Sequence, residues 1–171
     1  MILGLDLSTS RIGISVMKED EELLFCEVLK LNNKSSLESR CLELEKFIKN
    51  LKYEFKLIFV EAPFMMFAGG KTTATTMAKL QRFNGMCSFM VTKTFGIEPI
   101  LIPANKARKL VGVRVKRGLC TKTQVINFVQ EKYPSFQVYY TRHGNHKPGT
   151  DDKADAVVVA LAGLRMGIPS A

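Results

Sequence analysis

Residues 2–7 read Ile-Leu-Gly-Leu-Asp-Leu, and the fold class can be inferred from this run outward. It is apolar on both faces, which predicts a buried central β-strand over Met1–Leu7. Asp6 does not suit that environment, because aspartate is depleted in strands and a buried carboxylate is costly. Such a group persists where it pairs with a cation or binds a metal. The run therefore predicts a central strand that carries a functional acid.

The segments after this strand predict the rest of a sheet. Two further strands, Ile12–Met17 and Leu23–Leu31, follow at short intervals and predict an antiparallel meander. The remaining elements are predicted as helices over Ser35–Lys52, Thr72–Thr94, Pro103–Val111, Thr121–Lys132 and Asp151–Met166, strands over Leu57–Glu61 and Glu98–Leu101, and loops over Pro63–Gly70 and Tyr133–Thr150. This order predicts an α/β fold with a five-stranded mixed sheet, three meander strands and then two parallel ones, and helices on both faces.

The length and charge of the chain limit its number of domains and the classes of partner that it could bind. The 171 residues suit one domain, predicted to span residues 1–171. Lys and Arg number 25 against 16 Asp and Glu, which gives a formal net charge of +9. A basic excess of this size favours a polyanionic partner, with nucleic acid first and an anionic membrane surface second.

The same sequence bears on the cellular compartment. The N-terminal residues lack the positive region and cleavage site of a signal peptide, and no apolar run approaches the ~18 residues of a membrane span. The cysteines, which form no Cys-x-x-Cys pair, are predicted to be free thiols: Cys26, Cys41, Cys87 and Cys120. We expect a soluble intracellular protein without a membrane partner, in the cytoplasm or nucleoid, with an organelle or a virus-infected cell as further settings.

Three more acids occupy apolar segments. Glu61 ends a strand, and Asp152 and Asp155 share one face of the last helix at a spacing of three residues. With Asp6 they form a set of oxygen ligands, which Mg²⁺ and Mn²⁺ prefer. Each acid also has a simpler explanation: Asp151 and Asp152 favour a helix N-terminus, Glu61 pairs with a lysine, and Asp155 belongs to a first helical turn. Without a shared functional site, all of these separate explanations would have to be true at once.

The residues around the acids resemble the RNase H-like nucleases, and among them the RuvC Holliday-junction resolvases. Residues 3–16, Leu-Gly-Leu-Asp-Leu-Ser-Thr-Ser-Arg-Ile-Gly-Ile-Ser-Val, resemble the first acidic motif. Val60–Phe64 and Asp152–Leu161 resemble the second and third, and Asp-x-x-Asp-Ala is the most specific piece. The resemblance implies an RNase H-like fold and a homodimeric, Mg-dependent endodeoxyribonuclease. Such an enzyme resolves four-way and other branched DNA by paired nicks during recombination, repair or genome processing.

The same resemblance implies the active-site residues. The catalytic acids and metal ligands would be Asp6, Glu61, Asp152 and Asp155. They would hold two Mg²⁺ ions, which Mn²⁺ can replace, about 3.5–4 Å apart. Asp6, on the central strand, is the expected bridging ligand. Two divalent cations beside a phosphodiester need such negative ligands for charge neutralisation.

A basic stretch follows the second acidic motif. Between residues 106 and 122 there is no acid, and seven residues are predicted to bind DNA: Lys106, Arg108, Lys109, Arg114, Lys116, Arg117 and Lys122. Phosphate contacts of this kind give affinity and salt dependence, although a solvated surface is the alternative. The resemblance places Lys122 beside the scissile phosphate and adds it to the catalytic residues. A second basic group precedes the last motif and comprises Arg142, His143, His146 and Lys147.

Two apolar features complete the predicted DNA and dimer contacts. Phe64 stands where the resolvases carry an aromatic residue that stacks on junction bases, and Phe67 is a second candidate. The alternative is that Phe64 belongs to the core. The helix Thr72–Thr94 corresponds to one that packs on its symmetry mate in the resolvases, or it only covers the sheet.

Other motifs in the sequence resemble further families or sites. Gly70-Lys71-Thr72 lacks the first glycine of a P-loop, and His143-x-x-His146 has no further ligand. The opening motif also resembles actin-like kinases, which need two such domains. Arg11-Ile12-Gly13 resembles the RuvX RNA-processing nucleases, and an idle junction-binding protein of the same fold is a third alternative. The sequence departs from bacterial resolvases at Ser8–Ser10 and in the long Tyr133–Thr150 segment.

Overall fold

The structure is a computed structural model that describes residues 1–63, 73–116 and 118–167. Within these ranges the strands are β1 (Ile2–Leu7), β2 (Arg11–Met17), β3 (Leu23–Lys30), β4 (Leu57–Glu61) and β5 (Ile100–Ile102). The helices are α1 (Leu37–Asn50), α2 (Ala74–Phe95), α3 (Ala104–Val111), α4 (Thr121–Lys132) and α5 (Thr150–Arg165). The strands form one mixed sheet in the order β3-β2-β1-β4-β5. β1, β2 and β3 pair antiparallel, and β4 and β5 extend the sheet in parallel, so the predicted fold class is confirmed.

Some predicted boundaries were wrong by a few residues. β5 begins at Ile100 rather than Glu98, because the pairing with β4 starts where Ile100 meets Phe59. Pro103 caps α3 instead of opening it, with an extended backbone at φ −60° and ψ 138°. α1 begins after Ser36, whose hydroxyl accepts the N–H of Ser39 and so satisfies one of the unpaired donors of the first turn. The predictions on Phe64, Phe67 and Arg117 lie outside the described residues.

The sheet has a core on each face, as predicted. On one face Leu3, Leu5 and Ile14 pack with Leu44 of α1 and Phe83 of α2. On the other face, residues of β1 and β4 pack with α3, α4 and α5; this core includes Ile2, Phe59, Ala107, Val125 and Val157. Alternation along β1 therefore places Ile2, Gly4 and Asp6 on the side of α5.

Helix α5 lies unusually close to the sheet. A Cβ atom added to Gly4 would lie 2.3 Å from the carbonyl oxygen of Ala156, and one added to Gly13 would lie 1.9 Å from that of Asp152. Beside Gly4, its cross-strand partner Ser15 donates from its hydroxyl to the same carbonyl of Ala156 at 2.8 Å. Because glycine has no side chain here, the backbone of α5 rests directly on β1 and β2. This contact sets the height of α5 above Asp6.

Two further sequence predictions can be compared with the structure. All four cysteines are free, as predicted. No helix in the described ranges is long and apolar enough to cross a membrane.

Candidate active site

The register of β1 and β4 places Asp6 beside Glu61. In the parallel pairing of the two strands, Leu5 lies opposite Val60. The next residue along β1 is Asp6 and the next along β4 is Glu61. Both acids lie on the face of the sheet that α5 covers, since they alternate with core residues of the other face. Neighbouring strands are about 4.8 Å apart, so the two carboxyl groups start from adjacent backbone positions.

Helix α5 brings the other two acids to the same point. Gly13 pairs with Asp6 across β1 and β2, and its Cα lies against the carbonyl of Asp152. Asp155, three residues further along α5, faces the same way as Asp152. The structure therefore brings the four predicted acids together from β1, β4 and α5.

The acids act on each other electrostatically. Burial raises the pKa of Asp6 well above its usual range, and the negative charges of Glu61, Asp155, Asp152 and Asp151 raise it further. Burial and the charge of Asp155 raise the pKa of Glu61 to about 8. Burial also raises the pKa of Asp155, to about 6. We call these carboxyl groups, with that of Asp152, the acidic cluster. Their raised pKa values indicate that the neighbouring cations do not fully compensate their negative charge.

Three cations border this cluster. Nε of Arg11 donates to Oδ2 of Asp152 at 3.0 Å. Nζ of Lys122 donates to Oδ2 of Asp151. Arg108 acts at longer range and lowers the pKa values of Glu61 and Asp155. Among the described residues, the cation that acts on Glu61 is therefore Arg108 rather than the lysine of the alternative explanation.

Sequence reasoning missed two members of the site. Arg11 was noted only for its resemblance to another nuclease family, although β2 must return beside Asp6 and carry Arg11 with it. Asp151 was interpreted as a helix N-terminal residue. Burial raises the pKa of Asp151, but the hydrogen bond and charge of Lys122, together with backbone hydrogen bonds to the carboxylate, hold it below the usual value. Asp151 therefore also forms the ionic contact that holds Lys122 at the cluster.

The donor set suits a hard divalent cation. In the described part of the chain, no three acidic, histidine or cysteine side chains converge closely enough to enclose a metal ion. The four carboxyl groups are nevertheless all-oxygen donors, and Asp6 is crowded by the charges of four other acids. A divalent cation would relieve this repulsion, since carboxylate oxygen is the ligand that Mg²⁺ prefers. The chemistry of the donor atoms therefore suits the predicted metal, which stays a prediction.

The basic stretch lies next to the acids. Lys106, Arg108 and Lys109 belong to α3, and Arg114 and Lys116 precede α4. Arg108, Lys109 and Arg114 line one open cleft. Gln124 of α4 fixes the segment, because its Oε1 accepts the backbone N–H of Lys116 at 2.7 Å and its amide donates to the carbonyl of Leu119 at 3.4 Å. Arg108 connects this cleft electrostatically to the acidic cluster.

The fold matches solved structures over nearly the whole chain. Thermus thermophilus RuvC in complex with a Holliday junction substrate has a TM-score of 0.69 at 15% identity, with 97% of this chain and 93% of that chain covered. The fowlpox virus resolvase, solved with its substrate Holliday junction DNA, has a TM-score of 0.51 at 11% identity and covers 98% and 99%. The yeast mitochondrial Holliday junction resolvase has a TM-score of 0.58 at 14% identity and covers 96% and 77%.

The chain has the RuvC resolvase fold. The fold that the resemblance implies is thus confirmed in the three-dimensional structure. A scan of family models and a search of curated proteins find no match to the sequence.

The raised pKa of Glu61 in this RuvC fold predicts how stability depends on pH. Between the ordinary pKa of 4.5 and about 8, the folded protein holds a proton at Glu61 that the unfolded chain has lost. Raising the pH through this window therefore lowers the free energy of unfolding of the metal-free protein. We expect Glu61→Gln to remove this loss, so that its Tm in EDTA exceeds the wild-type Tm at pH 8 by more than at pH 5.

Thermal unfolding in EDTA at pH 5, 6, 7 and 8 measures this difference. Glu27→Gln, on the exposed side of β3, is the matched control and should follow the wild type. A constant difference between Glu61→Gln and wild type across the pH range would contradict the assignment.

Proposed function

We propose that this protein is a divalent-metal endonuclease that cuts four-way and other branched DNA. The observation that carries the proposal is that β1, β4 and α5 place Asp6, Glu61, Asp152 and Asp155 in one region of the sheet. There the charges of the other three acids raise the pKa of Asp6. The RuvC fold and the basic cleft beside the acids support it. Recombination, repair or genome processing is the proposed setting.

The chain's own residues have distinct proposed roles. Asp6, Glu61, Asp152 and Asp155 would bind two Mg²⁺ ions, or Mn²⁺ in their place. When bound, such ions supply Lewis-acid stabilisation of a phosphodiester and lower the pKa of a water ligand. Lys122, held by Asp151, would donate to a phosphate oxygen at the edge of the cluster. The cations of the cleft would bind the flanking phosphates and orient the strand.

Strand mapping on a synthetic four-way junction with Mg²⁺ tests the proposal. A linear duplex of the same sequence is the substrate control. We expect symmetric nicks near the branch point of the junction and none in the duplex. Cleavage of RNA or single strands with an intact junction would instead favour the RuvX-like activity. Tight junction binding without any cleavage would favour a binding protein.

We propose further that the protein acts as a homodimer through the outer face of α2. The inner face of α2 covers the sheet with Phe83, Cys87 and Val91. Its outer face leaves Phe89 71% exposed, beside Leu42 of α1 at 61%. These two side chains border a groove between α1 and α2. A two-fold contact here would present two active sites to two opposing strands of a two-fold symmetric four-way junction.

Phe89→Glu tests the dimer contact. A glutamate at the centre of an apolar interface would be desolvated without a partner, so we expect the dimer dissociation constant to rise at least about tenfold. Sedimentation equilibrium measures it. Leu119→Glu is the matched control, because Leu119 is 59% exposed but lies outside the groove. A monomeric wild type, or an unchanged dimer in Phe89→Glu, would contradict the contact.

A further inference from the structure

The segment predicted as a polar loop over Tyr133–Thr150 contains an ordered hairpin. Tyr140 and His146 form an antiparallel bridge. The N–H of Lys147 donates to the carbonyl of Tyr139 at 2.8 Å, and the N–H of Thr141 donates to that of Asn145 at 2.7 Å. We call residues 139–147 the 139–147 hairpin. Its main-chain hydrogen bonds give it a defined shape.

The hairpin presents aromatic rings and cations together. Tyr139 and Tyr140 are each 54% exposed. The ring of Tyr140 packs on His146 with centroids 5.3 Å apart, and Nζ of Lys147 lies 5.6 Å from the centroid of Tyr139. Arg142 lies in the same turn, and residues 133–150 contain no acid. Exposed aromatic rings beside cations are the combination that binds unpaired nucleic acid bases and their phosphates.

The position of the hairpin relates it to the acidic cluster. Only Pro148 and Gly149 separate Lys147 from Thr150, the first residue of α5. The hydroxyl of Thr150 donates to the carbonyl of Lys147 at 2.8 Å, which fixes the end of the hairpin to the helix. A Cβ added to Gly149 would lie 3.4 Å from Cδ of Arg11, the partner of Asp152. The hairpin therefore emerges where α5 begins its acidic turn.

The base of the hairpin is also anchored. Lys153, a buried residue of α5, donates from Nζ to the carbonyl of Gln137 at 2.9 Å. The same Nζ lies 4.7 Å from the ring centroid of Phe136, a core residue. These contacts hold the residues before the hairpin against α5. A strand bound by the hairpin would thus keep a fixed position relative to the acids.

We propose that the 139–147 hairpin is a second DNA-binding element, which binds unpaired bases and phosphates of the strand entering the acidic cluster. Tyr139 and Tyr140 stack on bases, and Arg142 and Lys147 bind phosphates. The inference rests on the proposed function and adds a residue set outside the basic cleft. DNA fits better than an acidic peptide for two reasons. The exposed tyrosine rings can stack on the flat faces of bases, which an acidic peptide lacks. The site also lies beside a proposed phosphodiester-cleaving centre.

Binding without cleavage tests the hairpin. Fluorescence anisotropy in EDTA measures the affinity for a four-way junction that carries 2-aminopurine at the branch point and for single-stranded oligo(dT). We expect Tyr139→Leu/Tyr140→Leu to weaken both by about tenfold and to lose quenching of 2-aminopurine. Tyr139→Phe/Tyr140→Phe keeps the ring faces, so it should bind within about twofold of wild type. Arg142→Gln/Lys147→Gln should reduce the salt dependence of log K by about two.

The outcomes separate this inference from the proposed function. If the leucine variant binds and quenches like wild type, the hairpin proposal is overturned while junction cleavage can still stand. If the phenylalanine variant weakens as much as the leucine variant, stacking is overturned as the mode of contact. If poly-glutamate binds wild type as tightly as the DNA does, the partner is an acidic chain. If wild type binds no branched DNA at all, the proposed function fails as well.

Discussion

Asp6→Asn is expected to abolish junction cleavage while the folded protein becomes more stable in the absence of metal. Asp6 lies among four other acids, and burial and their charges raise its pKa. Asparagine removes one negative charge from this cluster and so relieves repulsion. It also removes the carboxylate that we propose as the central metal ligand. A bound metal supplies several kcal/mol of charge stabilisation, and each 1.4 kcal/mol is tenfold, so the rate should fall about 10³-fold or more.

Single-turnover cleavage of the junction and thermal unfolding in EDTA at pH 8 measure the two effects. Asp20→Asn is the matched control: it makes the same chemical change in the turn between β2 and β3, outside the acidic cluster, and should cleave like wild type. Junction affinity in EDTA should be unchanged or higher in Asp6→Asn. Cleavage at the wild-type rate by Asp6→Asn would remove the acidic cluster from the mechanism.

The sequence was sufficient for the sheet and for the four acids because both depend on local patterns. An apolar run with a single acid predicts β1 and Asp6 without knowledge of any distant residue. Asp152 and Asp155 follow from helical spacing alone. The order of three meander strands and then alternating elements leaves few ways to build the sheet. These features were accordingly predicted to within a few residues.

The partners of the acids could not be predicted in the same way. The ion pair of Arg11 with Asp152 joins residues 141 positions apart, and its formation depends on how closely α5 approaches β2. The pairing of Lys122 with Asp151 likewise needs the relative placement of α4 and α5. The 139–147 hairpin was missed because its turn and bridge involve few residues and no alternating apolar pattern. Long-range packing, rather than local preference, determines these contacts.

Gly13→Ala is expected to lower cleavage strongly although residue 13 carries no functional group. A Cβ atom there would lie 1.9 Å from the carbonyl oxygen and 2.4 Å from the carbonyl carbon of Asp152. Both are backbone atoms, so the first turn of α5 must move away from β2. This movement increases the distance of Asp152 and Asp155 from Asp6. Misplacing reacting groups by about 1 Å can cost about 10²-fold in rate. The overpacking should also cost about 1–3 kcal/mol of stability, or roughly 2–4 °C of Tm per kcal/mol.

Cleavage measured well below the Tm separates displacement of the acids from unfolding. Gly85→Ala is the matched stability control, because a Cβ on that exposed residue of α2 meets nothing within 4 Å. It should raise stability by about 0.5–1 kcal/mol, since alanine favours a helix interior over glycine. We expect Mg²⁺ to raise the Tm of the wild type, and Gly13→Ala should lose most of that rise. If it keeps that rise and the wild-type rate, close contact between α5 and the sheet does not position the acids. If it loses both while still folded, the close approach of α5 at Gly13 is needed to build the proposed metal site.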